Sequence, residues 1–264
     1  RLCCFRCVWT KLRKSATLKA GEMKHQTQRV IAVVLTSLLL GANLTWPIEA
    51  KTRLVPRRLD GVLVSPSKVN LRLVAVMVDN HTAARPQASL DKASVVYEAL
   101  AEGGIPRFMA VYARYDLALV GPIRSARPYF VRYAAEYPAA LAHVGGSPDA
   151  QNLIKKLAIR NIEGQKGTTA RFFFRYGFGV HSTFTNGANL TEAMRNKKGP
   201  KAILNYEPWQ FQNDPALKDR PTKRQRVAAD LGAGRNYRIE YEYSRRRNAY
   251  LRSTGGKPHF DRVK

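Results

Sequence analysis

Only one long stretch of this chain is apolar and uncharged, Val30 to Ala42. It is shorter than the ~20 residues that span a bilayer comfortably, and its single occurrence excludes a polytopic membrane protein. A basic stretch, Met23-Lys24-His25-Gln26-Thr27-Gln28-Arg29, precedes it. Thr45, Trp46, Pro47 and the small residue Ala50 follow it. Basic, then apolar, then polar with a small residue is the layout of a secretory signal. Residues 23–50 therefore read as a signal peptide or, if uncleaved, an N-terminal anchor that associates with the membrane through Val30–Ala42. Met23 reads as the start, with residues 1–22 arising from translation upstream of it, because codons for Ala20-Gly21-Glu22 can spell a purine-rich ribosome-binding sequence. The expected location is extracytoplasmic, either secreted or held at the outer face of the cytoplasmic membrane.

Lys and Arg number 45 against 19 Asp and Glu, a formal charge of +26. Eight of the basic and two of the acidic residues precede residue 51, so the remainder keeps a net charge of +20. Such a surface attracts polyanions, and outside the cytoplasm these are wall polymers and lipid head groups. Hydrophobic residues at 45% and charged residues at 24% exclude wholesale disorder. The three cysteines, Cys3, Cys4 and Cys7, crowd together without a nearby histidine, and a structural zinc site needs four ligands. No metal and no cofactor is expected.

Residues 51–70, polar with scattered prolines, read as a linker. Leu71–Val78 runs apolar into Asp79-Asn80 and predicts a buried strand. Arg107–Ala113 predicts another, and Val95-Val96-Tyr97 a short strand or helix start. Tyr129–Tyr137 has helical spacing. Ala139–Val144 is apolar and ends in Gly145-Gly146-Ser147-Pro148, with Ser147 as helix cap and Pro148 at the first helical position. Strand, glycine turn and helix in succession indicate an α/β unit. Thr191-Glu192-Ala193-Met194 looks like the start of a short helix. Residues 205–235 read as a connector. Tyr237–Tyr243 alternates strictly and predicts a strand whose hairpin partner is Tyr250-Leu251-Arg252. The expected fold is α/β, with mixed α+β also open: an N-terminal α/β domain over 71–204 and a smaller, β-rich, truncated C-terminal part over 236–264.

Four constellations could carry chemistry. In Gly121–Pro128, Arg124, Ser125 and Arg127 form a stiff cationic loop whose guanidinium forks suit carboxylate or phosphate. The alternative is that the two arginines pair with internal acids such as Asp79 or Glu98. In His143–Pro148, the Gly145, Gly146 and Ser147 backbone could approach an anion at a helix N-terminus, or simply form a strand-to-helix turn. His181 and His143, with Asp79 or Glu98, could supply a general base and its orienting acid, although no GxSxG nucleophile elbow is present. Finally, Gly255–Asp261 reads as a loop after the hairpin from which His259 and Asp261 might reach a shared cleft.

At these segments the chain resembles a known family. The stretches VAVMVDNHTAARPQASL, VVYEALAEGGIPRFMAVY, GPIRSARPYF and HVGGSPDA, with the segment around His181, match the N-terminal part of the YerB family of bacterial envelope proteins. YEPWQF and YEYSRRRNAYLRSTGGKPHFD match its C-terminal part, and the family pattern continues beyond Lys264. The resemblance implies a two-part domain of unknown function in an exported, often lipid-anchored protein. This chain departs from that pattern because no cysteine follows its apolar run. No catalytic residue carries over.

The leading expectation is a non-catalytic envelope module. It would bind an anionic cell-wall polymer or a wall-synthesis protein through a cleft pairing Arg124 and Arg127 with the Gly145–Ser147 turn. The first alternative is a wall-acting hydrolase or transferase using His143 or His181 with Asp79 or Glu98. The second is nucleic-acid binding by bulk charge, which export argues against.

Overall fold

Continuous burial singles out the central strand. In β1 (Val74–Asp79) every residue is buried, and a strand covered on both faces is apolar throughout rather than alternating. The computed structural model describes residues 4–5, 53–195 and 209–262. The signal or anchor segment, most of residues 1–22 and the first part of the expected connector lie outside the described residues. β1 pairs antiparallel with β3 (Pro106–Tyr112), which forms a hairpin with β2 (Val95–Leu100). On its other side β1 pairs parallel with β4 (Ala140–His143), and β4 pairs parallel with β5 (Asn161–Glu163). The sheet order is β2-β3-β1-β4-β5.

Alternation along β1 sends its side chains to two cores. Ala75 and Met77, with Met109, Val111 and Leu141, pack on Phe130, Val131 and Ala134 of α1 (Pro128–Glu136) and on Ala150 and Ile154 of α2 (Pro148–Lys156). Val74, Val76 and Val78, with Phe108, Ala110 and Ile162, pack on Leu190, Ala193 and Met194 of α3 (Gly187–Arg195). Helices on both faces of the sheet give the mixed α/β fold that the sequence predicts. α3 begins four residues before the expected Thr191. Asn186 Oδ1 accepts the Asn189 N–H (2.8 Å) at its start, and a Cβ on Gly187 would collide with the Tyr115 carbonyl. Part of the stretch expected as a linker is anchored on the domain. Leu59 is in the core, and Arg57 pairs with Asp60 and reaches the Ala113 carbonyl (2.7 Å).

The C-terminal part is an antiparallel meander of β6 (Arg226–Ala229), β7 (Ile239–Ser244) and β8 (Ala249–Thr254). β6 falls inside the expected connector; its Arg-Val-Ala-Ala sequence is too short to show a period. Cys4–Phe5 lies antiparallel along β8. After β8, Gly255 and Gly256 take φ of +60° and +74°, the left-handed pair of a two-residue hairpin turn, and Lys257–Pro258 folds back on β8.

A buried polar seam binds this meander to the α/β sheet within one compact unit. Arg252, 1% exposed, meets Glu98 (3.0 Å), His259 Nδ1 (2.9 Å) and the Tyr241 hydroxyl (3.0 Å). His259 Nε2 pairs with Gln87 Oε1 at 2.7 Å. An amide oxygen only accepts and a guanidinium only donates, so His259 is the neutral tautomer protonated on Nε2. Burial, and then the Arg252 and Arg85 charges, push its pKa down to about 3. Asp261–Arg262 adds a parallel bridge to Gln87–Ala88.

Burial, and then the Asp91 carboxyl beside it, push the Asp261 carboxyl up to about 8 from an ordinary 3.8. Between those values the unfolded chain binds fewer protons than the folded one, so this group's contribution to stability falls as pH rises. Up to about pH 6.5 the depressed His259 opposes this fall, so the thermal midpoint is expected to fall most clearly between about pH 6.5 and pH 8 and to level off above that. Asp261→Asn, which keeps a donor at every pH, flattens that fall. Parallel midpoint curves for the two proteins would contradict this account of the seam.

Candidate functional site

The parallel strands β1 and β4 end on the same edge of the sheet, the edge at which open α/β sheets characteristically bind ligands. Segment 123–126 is wedged between these two ends. The Arg124 N–H donates to the Met77 carbonyl (3.1 Å), and the Val144 N–H donates to the Arg124 carbonyl (3.0 Å). The Ala126 N–H donates to the Gly145 carbonyl (3.0 Å). The cationic loop and the glycine turn therefore lie side by side.

At the end of β1 the Asp79 carboxylate gathers three partners. It accepts from the His81 N–H (2.8 Å) and from His181 Nδ1 (2.7 Å), and forms an ion pair with Arg124 Nε (2.9 Å). The His181 ring stacks on the His81 ring, with centroids 4.6 Å apart. Arg124 Nη1 reaches the Val180 carbonyl (3.3 Å), and its Nη2 has no partner among the described residues. Asp79, His81, Glu102, Ile105, Pro106, Arg107 and Arg124 enclose a cleft of about 140 Å³. Arg107 donates to the Ser125 carbonyl (2.7 Å) and pairs with Glu102 (3.2 Å). Arg127 pairs with the same Glu102. That guanidinium holds the Glu102 carboxyl below its usual range.

Other expected site residues serve the interior. His143 is fully buried, bonded at Nδ1 to the Gly145 carbonyl and at Nε2 to Asn161, both at 2.7 Å. The Gly145 N–H donates to Glu163 (2.8 Å), Gly146 bridges to Ala126, and Ser147 Oγ accepts the Ala150 N–H (3.2 Å) as the cap of α2. Burial alone would raise the Glu163 carboxyl, but the Gly145 and Gln165 N–H bonds and nearby His143 bring it below its usual range. The turn thus holds an internal carboxylate. Glu98 lies in the seam with Arg252 rather than at this cleft. Arg124 takes the internal partner Asp79, one of the two acids the sequence offered it, whereas Arg127 takes Glu102.

His81, Glu102 and Arg107 were not singled out from the sequence. His81 follows Asp79 by two residues, which in an extended chain would put it on the same side; that spacing was its one signal. Glu102 and Arg107 flank the β2–β3 turn, and nothing local marks them. Among the described residues no three His, Cys, Asp or Glu side chains gather as ligands for a metal ion.

Fold and site together define a mixed α/β domain with a small His- and Arg-lined cleft at its strand ends. A solved structure of the YerB protein from Bacillus subtilis superposes with a TM-score of 0.66 at 32% identity, covering 78% of this chain and 69% of that one. "Putative lipoprotein YerB" of Bacillus subtilis strain 168 is 34% identical over 212 residues, 80% of this chain. The chain spans 62% of that relative's length. Residues 59–201 match the family described as "Protein of unknown function (DUF3048) N-terminal domain". The chain belongs to this YerB family.

Asp79→Ala removes the acceptor of two hydrogen bonds and the ion-pair partner of Arg124. Charge-assisted bonds of this kind support an expected loss of at least about 2 kcal/mol in urea unfolding. A loss below ~0.5 kcal/mol, the ordinary range for surface changes, would mean the cluster is not held by its carboxylate.

Proposed function

We propose that this protein is an extracytoplasmic envelope module that binds an anionic cell-wall ligand at the Asp79–Arg124 cleft, without catalysis. The observation that carries the reading is Arg124, which Asp79 anchors by Nε while Nη2 has no partner among the described residues at the cleft. Around it, the three guanidiniums of Arg107, Arg124 and Arg127 face the two carboxylates of Asp79 and Glu102, a surplus of one positive charge. A prepositioned guanidinium loses little entropy when it takes an oxyanion. At about 140 Å³ the cleft is smaller than the usual ~300 Å³ of a small-molecule pocket. It suits one phosphate or carboxylate group of a polymer rather than a whole sugar. The lipoprotein name of the Bacillus relative and the signal-like layout of residues 23–50 support the extracytoplasmic location.

The test is retention of the full chain on purified sacculi and on poly(glycerol phosphate) across a salt series, with the Arg124→Ala/Arg127→Ala variant alongside. Wild-type binding is expected to persist at physiological salt, where the screening length is ~8 Å. The double variant is expected to bind about tenfold or more weakly, as fits the loss of charge-assisted bonds. Equal binding by both proteins, abolished together by salt, would reduce the net positive charge to a sticky surface and overturn the proposal.

One observation favours a second reading, wall hydrolysis or transfer. Asp79 orients His181 through Nδ1, the arrangement that prepares a histidine to act as a base through Nε2. Under that reading the protein turns over wall fragments, and His181→Ala abolishes turnover while retention on sacculi survives. Absence of turnover by the wild type would remove it.

A further inference from the structure

A larger cavity opens on another part of the surface, where the hairpin after β8 meets the loop after β1. It measures about 500 Å³, inside the range of small-molecule sites. Thr82, Arg85 and Pro86 form one wall, and Thr254, Gly255, Lys257, Pro258, His259 and Phe260 form most of the other. The Gly255-Gly256 turn shapes this second wall. A Cβ on Gly255 would come within 2.8 Å of the Asn236 carbonyl, so only glycine lets the turn sit this close.

The charge of this cavity is one-sided. Arg85 and Lys257 line it, and no Asp or Glu does. Arg107, Arg124, Arg127 and Arg252 each have a carboxylate partner. Arg85 instead donates to the side chain and carbonyl of Asn80 and to the Asn236 carbonyl, each at 3.2 Å, and lies over the Tyr237 ring. It forms no ion pair among the described residues, and neither does Lys257. Thr254, only 5% exposed, keeps its Oγ1 without a hydrogen-bond partner. That oxygen lies beneath the cavity surface and is closed to solvent, so the cavity's polar wall is supplied by Arg85 and Lys257. His259 has both nitrogens engaged and serves as a neutral wall. Phe260 is half exposed and, with Pro86 and Pro258, supplies an apolar face.

We propose that this cavity binds a small organic anion, its phosphate or carboxylate held by Arg85 and Lys257 and its ring or apolar portion laid against Phe260. This site is separate from the Asp79–Arg124 cleft and needs the C-terminal meander, because only the contact between the two parts encloses it.

Calorimetric titration of the full chain with phenyl phosphate, benzoate and phenol tests the assignment. At least one of the two anions is expected to bind about tenfold or more tightly than phenol, the worth of a charge-assisted contact. Which anion it is tells phosphate from carboxylate. Lys257→Ala, an exposed position, is expected to weaken that anion about tenfold. Anions that bind no better than phenol, or binding that Lys257→Ala leaves unchanged, would overturn the proposal.

Discussion

The end of a fully buried strand must dispose of its polar groups, and in this protein Asp79 performs that task. β1 lies in the middle of the sheet with helices on both faces, so its first polar side chain emerges where the strand leaves the core. A carboxylate at that point is stable only with donors around it. The His81 N–H, His181 and Arg124 supply them from three separate stretches of chain. One interaction thereby fixes the loop after β1, the cationic loop at 123–126 and the segment before α3. The cleft is a consequence of how the sheet ends rather than an addition to it.

A second buried charge unites the two parts. Arg252 extends from the C-terminal meander to Glu98 of the α/β sheet and is bracketed by Tyr241 and His259. Burial pushes the Glu98 carboxyl up, and the Arg252 guanidinium opposes that rise. Burying an ion pair is a weak source of net stability but strongly penalises arrangements that leave either partner alone. The seam therefore specifies how the meander sits on the sheet. Its rim is where Arg85 and Lys257 are left without carboxylates.

Much of the fold was legible because the sheet is simple. The apolar run into Asp79, the Arg107–Ala113 strand, the Ser147-Pro148 helix start and the alternating YRIEYEY strand each carry a local signal that the structure keeps, with the last strand starting at Ile239. β6 was not legible: four residues show no period, and their place is set by pairing with β7. The site was legible in part. Asp79, His181 and Arg124 were singled out, but nothing local says that residues 102 apart, Asp79 and His181, share a hydrogen bond. The Gly145–Ser147 turn shows the limit of motif reading. Its Gly145 N–H does hold an anion, yet the anion is the chain's own Glu163, eighteen residues further on.

The histidines provide the most direct measurement of the central claim, that anionic ligands enter beside Asp79 and Arg124. Imidazole nitrogen spectra of the full chain, recorded with and without poly(glycerol phosphate), read each ring separately. The account predicts that the His81 and His181 signals shift together as the polymer is added, while buried His143 stays where it was. Signals of His81 and His181 that do not move under conditions where the polymer is bound would place the ligand elsewhere and contradict the account.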